Sequence, residues 1–207
     1  MICINFYGGP GIGKSTLAAR TFAMLKAQGI RSEFVGEFAK DLVYDKAYDV
    51  MADQTYLFAQ QNHRLWRLKN SGVEVAVCDS PLLLNIAYNQ DPNNGYFNQF
   101  VVDTYKRYVN FDYVLERNPE YWEIDKRGGD VQDAIKMDNK IDAILLDVWH
   151  DFPQKVDISC EQYVYHFVQD IIARVKDRLK EDNNLVTAKR ANNVIELPLR
   201  DEPWRAA

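Results

Sequence analysis

The sequence has no apolar stretch approaching the roughly 18–20 residues that a helix needs to cross a bilayer. It has only three cysteines, Cys3, Cys78 and Cys160, far apart and in no C-x-x-C spacing. The first absence excludes an ordinary membrane-spanning helix. The second argues against a disulfide framework or a cysteine-held zinc ion and fits a reducing compartment, the cytoplasm. Lysines and arginines form no block, and the net charge is −5 over 207 residues. General adhesion to nucleic acid or to an anionic membrane is therefore not expected, although a local basic groove stays open. Met1 leads almost directly into a strand-like run, with no basic region and cleavable apolar segment, so no secretory leader is expected. His63 lies in no H-E-x-x-H or other metal-ligand spacing, which argues against zinc there.

What is present reads as strand and helix in alternation. ICINFY (residues 2–7) is rich in β-branched and aromatic side chains, as a buried strand should be. After it, Leu17, Ala18, Phe22 and Leu25 recur at helical spacing, with Gly29 as a stop. RSEFVGE (31–37), VEVAVCDSP (73–81) and FDYVLER (111–117) are further strand candidates, and KVDIS (155–159) is a weak fifth. Helices are expected over 54–72, capped by Asp53, and over the run bearing Ala134, Met137, Ile141, Leu145 and Val148, capped by Asp130. A third regular helix carries Val164, Phe167, Val168, Ile171, Ile172, Val175 and Leu179 on one side. The stretch 194–207 offers one short strand and a solvated tail. With no internal repeat or low-complexity linker, the expectation is one α/β domain over residues 1–207 with a mostly parallel sheet.

Between the first strand and helix stands Gly8-x-x-x-x-Gly13-Lys14-Ser15, the phosphate-binding loop spacing. Gly8, Gly9, Gly11 and Gly13 permit backbone conformations and close approaches that a Cβ would block. The amides of this stretch, Ile12 and Thr16 included, can then converge on a phosphate at the positive end of the following helix. Lys14 supplies a mobile cation for the β- and γ-phosphates of ATP, and the Ser15 hydroxyl is a ligand for Mg²⁺. Asp79 ends an apolar strand, where the ligand crevice of an open α/β sheet lies. It either helps hold Mg²⁺, often through a water, or simply starts a turn before Pro81.

With these residues the chain resembles the P-loop NTPases. Within them it is similar to the kinase-like branch of small nucleoside, nucleotide and ribosylnicotinamide kinases, and to short, often phage-encoded, AAA-labelled ATPase or kinase domains. The match is strong over residues 2–29 and looser through FVGEFAKDL, VAVCDSPLLLNIAYN, YVLER and DKRGGD. The resemblance implies a three-layer P-loop kinase sandwich with a small lid over the phosphates, around residues 117–135. It makes Asp79 the counterpart of the acid closing the third strand, although Ser80 follows where many relatives carry arginine. It also sets Glu37 beside the acceptor hydroxyl, to orient it and take its proton; the other reading is a solvated helix cap. In such a lid, Arg127 would close over the triphosphate, with Gly128-Gly129 as hinge and Arg117 as a second nucleotide-binding arginine. Surface ion pairs are the competing reading for both. Lys40 is either a ligand for an acceptor phosphate or a surface lysine, and Arg64 and Arg67, which share a helix face, either read such a phosphate or form a solvated stripe.

Two functions compete. One is an ATP-dependent kinase acting on a nucleoside- or nucleotide-type acceptor, free or as a hydroxymethylated pyrimidine within DNA. The other is a regulatory or mechanical ATPase acting on a protein or nucleic-acid partner. Acids at two neighbouring strand ends favour the kinase, as does Ser80 standing where a motor carries glutamate after the strand-end aspartate. A GTP-operated switch ranks last. The net charge leans towards a small-molecule acceptor. No membrane partner is expected, a homo-oligomer through the helix holding Trp66 stays open, and the expected location is the cytoplasm, that of the host if the gene is a phage's.

Overall fold

A computed structural model describes residues 1–91, 95–118, 131–149 and 153–191. Every side chain of β1 (Ile2–Tyr7) is buried. A strand apolar on both faces belongs inside a parallel sheet. β1 accordingly pairs in parallel with β3 (Val75–Cys78) on one side and β4 (Val109–Leu115) on the other. β2 (Ser32–Val35) lies beyond β3 and β5 (Gln154–Val156) beyond β4, both parallel, giving the order β2-β3-β1-β4-β5. The sheet is thus wholly parallel among the described residues. β5 starts one residue earlier than the KVDIS run and ends at Val156.

Chain progress reverses at β1: β2 and β3 lie to one side, β4 and β5 to the other. The carboxyl ends of the central strands at such a reversal form the crevice where ligands of open α/β sheets sit. Helices cover both faces. On one, α1 (Lys14–Ala27) packs against β1, β2 and β3. The first turns of α8 (Glu161–Ala191) set the Phe167 ring edge-on to Tyr113, with centroids 5.0 Å apart. The other face carries α4 (Gln54–Asn70), α5 (Leu84–Tyr88), α6 (Gly95–Tyr105) and α7 (Val131–Trp149). Their Phe58, Leu65, Phe97, Val101, Ile141 and Leu145 join Cys3, Tyr7, Ala76 and Cys78 in one apolar cluster. This is the three-layer sandwich. Two short helices, α2 (Phe38–Tyr44) and α3 (Tyr48–Met51), lie between β2 and α4. The expected cap of α4 is present, with Asp53 accepting from the Tyr56 amide at 3.0 Å.

The described residues up to Val168 form one compact unit and the rest of α8, from Gln169, belongs to a second; Ile171, Ile172 and Val175 of α8 are buried. No helix among the described residues is long and apolar enough to cross a membrane. The lid core at 119–130, the Asp130 cap and the expected strand after residue 194 lie outside the described residues. All three cysteines are free. The Cys78 thiol is held protonated, raised first by its hydrogen bond with Cys3 and then by burial.

One polar cluster interrupts the apolar face. Asp112 on β4 accepts from Asn5 Nδ2 at 2.8 Å and from the Tyr105 hydroxyl, which itself accepts from Trp149 Nε1 at 3.0 Å. Burial raises the Asp112 pKa above the ordinary carboxylate value, and the hydrogen bonds from Tyr105 and Asn5 offset only part of that rise. From about pH 4, the unperturbed carboxylate value, up to the raised native value, the native chain binds more protons than the unfolded one. Stability therefore falls as pH rises through that window. In melts at a series of pH values, the stability of Asp112→Asn relative to wild type is expected to grow through the window and then level off. A difference that stays constant or shrinks with pH would contradict this account of the cluster.

Candidate active site

The loop between β1 and α1 follows from its glycines. Gly8, Gly11 and Gly13 take φ of 144°, 71° and 96°, backbone that L side chains rarely adopt. Gly13 is the residue that starts α1, so the loop's amides end at a helix N-terminus with no acidic residue in its first turn. That terminus is a ready anion site. Ile12 is buried and folds over Gly8, where a Cβ would meet Ile12 Cγ2 at 2.8 Å. Lys14 Nζ donates to the Gly8 and Gly9 carbonyls at 2.7 and 2.8 Å, so its ammonium stands at the mouth of its own loop. Thr16 lies exposed in the first turn of α1.

Parallel pairing of β1 with β3 brings the next two residues together. Ser15 Oγ donates to Asp79 Oδ2 at 2.7 Å. Asp79 is only 3% exposed, and its other oxygen, Oδ1, is buried without a hydrogen-bond partner. A carboxylate kept in such a place costs stability, which points to a ligand role. The donor set fits Mg²⁺: two hard oxygens from the protein, the remaining positions left to water and phosphate oxygens. No group of three or more His, Cys, Asp or Glu side chains suited to a metal occurs among the described residues. That distinguishes this arrangement from an all-protein metal cage.

The neighbouring side of the crevice is built by β2 and the helix after it. Val35 pairs with Cys78, and the Asp79 amide donates to the Val35 carbonyl at 3.1 Å, so Glu37 and Asp79 stand at neighbouring strand ends. Glu37 occupies the N-cap position of α2, but its side chain makes no capping bond. The helix-cap reading is therefore not what the side chain does. One turn on, Lys40 Nζ donates to Ser15 Oγ at 3.2 Å, which brings its ammonium to the Ser15–Asp79 pair. Gln61 was not evident in the sequence. It is 3% exposed and spans the two strand ends, donating to the Gly36 and Ser80 carbonyls at 3.3 and 3.0 Å. Arg64 donates to the same Gly36 carbonyl at 3.0 Å, pairs with Asp41 at 3.3 Å and lies over the Phe38 ring. Arg64 thus secures the backbone beside Glu37, whereas Arg67 on the same helix is exposed. His63 is also exposed and stacks on Trp66.

Arg117 follows β4 and lies at the loop, bonded to Asp138 of α7 and to the Pro10 carbonyl. Arg127 falls outside the described residues. Asn139-Lys140-Ile141-Asp142 has the Asn-Lys-x-Asp spacing by which P-loop switches read guanine. Here the four residues form a turn in the middle of α7, with Ile141 buried and Asp142 paired to Lys155 at 3.3 Å. They do not make a base-reading loop at a strand end.

A family model described as an AAA domain matches residues 3–159. No curated protein matches the sequence. Among solved structures, the chain is similar to the Mycobacterium tuberculosis APS kinase CysC in complex with AMPPNP and APS. The identity is 17%, covering 84% of this chain and 96% of that one, with a TM-score of 0.46. It is also similar to a gluconokinase from Sinorhizobium meliloti 1021, at 14% identity over 89% of this chain and 95% of that one, TM-score 0.44.

The unpartnered Asp79 oxygen makes opposite demands on folding and on ligand binding. Asp79→Asn removes the buried charge and is expected to raise the unfolding free energy by about 1 kcal/mol. The same change should weaken Mg²⁺-dependent nucleotide binding at least roughly tenfold. Urea unfolding beside a nucleotide titration with and without Mg²⁺ reads both. A variant that loses stability and keeps Mg²⁺-dependent binding would show that the carboxylate serves the fold.

Proposed function

This chain belongs to the AAA domain family, and from that premise we propose that it is an ATP-dependent phosphotransferase acting on a hydroxyl of a nucleoside- or nucleotide-type acceptor. The observation that carries the reading is the meeting of Ser15, Asp79 and Lys40 at the carboxyl ends of neighbouring strands, with Glu37 one helical turn before Lys40. A hydrolytic motor needs the first pair; a second acid and a second cation on the acceptor side suit transfer to another molecule. The acceptor is either free or a hydroxymethylated pyrimidine within DNA, and the net charge of −5 favours the free molecule.

The steps follow from the chain's own groups. The loop amides and Lys14 hold the triphosphate, with Ser15 and Asp79 as the residues that would hold Mg²⁺. When bound, Mg²⁺ would supply neutralisation of the charge on the triphosphate. Glu37 orients the acceptor hydroxyl and takes its proton as the oxygen–phosphorus bond forms. The bond from the γ-phosphorus to the β–γ bridging oxygen breaks in line, and ADP leaves. Lys40 stabilises the charge spread over the migrating group, supplying from α2 the cation that Ser80 does not provide. By the family resemblance Arg127 is assigned the same task.

A γ-³²P-ATP transfer assay over nucleosides, nucleoside monophosphates, ribosylnicotinamide and DNA with or without 5-hydroxymethyluracil tests this. Label in one acceptor is the expected result; free phosphate alone, whatever the acceptor, favours the partner-driven ATPase. Lys14→Ala should reduce turnover by about 10²-fold or more, and retained turnover would remove the loop assignment. Glu37→Gln should lower kcat by about 10²–10⁴-fold with ATP affinity nearly unchanged. Equal losses in both would take Glu37 out of the acceptor role.

A further inference from the structure

The front half of the phosphate loop is held from outside by a helix more than a hundred residues away in sequence. Asp138, on α7, accepts from the Gly9 amide through Oδ1 at 2.6 Å. The same carboxylate receives Arg117 in two-point fashion, Nε to Oδ2 at 2.6 Å and Nη2 to Oδ1 at 3.2 Å. Arg117 Nη2 then donates to the Pro10 carbonyl at 3.1 Å. Strand register explains the meeting: Tyr7 pairs with Val114, so Pro10 and Arg117 each lie three residues beyond a matched pair. The two charged side chains are 11% and 21% exposed, so the pair is shielded from water. Short, charge-assisted and two-point bonds in such a setting are among the stronger polar contacts a protein makes.

Gly9 records the same constraint. A Cβ there would stand 2.8 Å from Asp138 Oδ1 and 2.9 Å from the Ala134 carbonyl, and the second is backbone that cannot turn aside. Gly9 is therefore small because α7 packs on it. A glycine-rich loop left to itself would lose conformational freedom on closing around a phosphate. Here the Gly9 amide and the Pro10 carbonyl are both fixed by groups on the side away from α1.

We propose that Asp138 is a positioning residue of the nucleotide site, which sets the first half of the phosphate loop through Gly9 and Arg117 before a nucleoside triphosphate or diphosphate binds. The proposal rests on the reading of this loop as a nucleotide site. It distinguishes positioning from charge masking, because the two give opposite signs. Removing a carboxylate that merely opposes a phosphate would tighten nucleotide binding; removing one that orders the loop weakens it.

The test compares wild type with Asp138→Asn, which keeps the shape and removes the charge, in full-length protein titrated with the fluorescent diphosphate mant-ADP and Mg²⁺. Binding is expected to weaken about tenfold, and amide hydrogen exchange in the unliganded variant should quicken at the loop amides of Gly9 and residues 11–13, while the core amides of α7 keep their protection. Unchanged or tighter binding overturns the proposal, as does a loss of protection spread through α7, which would make Asp138 a packing residue. Arg117→Lys, which keeps the charge and loses the two-point fork, should reproduce the weakening and serves if the first variant does not fold. A wild-type chain that binds no mant-ADP removes the nucleotide reading itself, and this proposal with it.

Discussion

Ser15 Oγ reaches Asp79 Oδ2 across 64 residues of sequence because β1 and β3 are direct neighbours in the sheet. Almost everything else at the crevice is arranged around that contact. The hydroxyl sits in the first turn of α1, so the loop that precedes it must end at Gly13 in a left-handed conformation. The carboxylate is buried with one oxygen unpartnered, so the strand carrying it must be held firmly. β3 meets that demand by lying between β2 and β1, fully buried. A misplacement of either strand would separate the two oxygens and leave two hard donors with no common ligand.

Around this pair the chain builds support in two directions. Towards β2, Gln61 ties the Gly36 and Ser80 carbonyls together, and Arg64 adds a second bond to Gly36. Glu37 and Lys40 are thereby presented from a short helix whose start is fixed on both sides. Towards β4, Asp138 and Arg117 hold the front of the loop. From the segment after β5, Ile158 closes over Gly13 so that a Cβ there would overlap it. The loop's glycines thus answer to different neighbours: Gly13 to Ile158 and to its positive φ, Gly9 to α7, Gly8 to Ile12 and to its positive φ.

What could be read in the sequence was whatever depends on local pattern. The strand before the loop, the loop and α1 follow from residues 2–29 alone, and the Asp53 cap of α4 follows from its neighbours in sequence. α3, α5 and α6 are short or turn-flanked and gave no periodic signal of their own. Gln61 and Asp138 were beyond reach for another reason. Each is a polar residue on an amphipathic helix, and only the sheet order reveals that one faces two strand ends and the other the phosphate loop. Lys40 lay between two readings until α2 turned it towards Ser15. Asn139-Lys140-Ile141-Asp142 teaches the reverse: a spacing can match a motif and, set within a helix, lack its function.

The most direct measurement is a crystal structure with Mg²⁺ and a non-hydrolysable ATP analogue. The account expects Ser15 Oγ and Asp79 to turn from each other to a shared cation or its waters. It expects Lys14 to leave the Gly8 and Gly9 carbonyls for the β- and γ-phosphates, and Glu37 to face the open side of the γ-phosphate. A nucleotide seated elsewhere, with Lys14 still on its own loop and Ser15 still on Asp79, would contradict it.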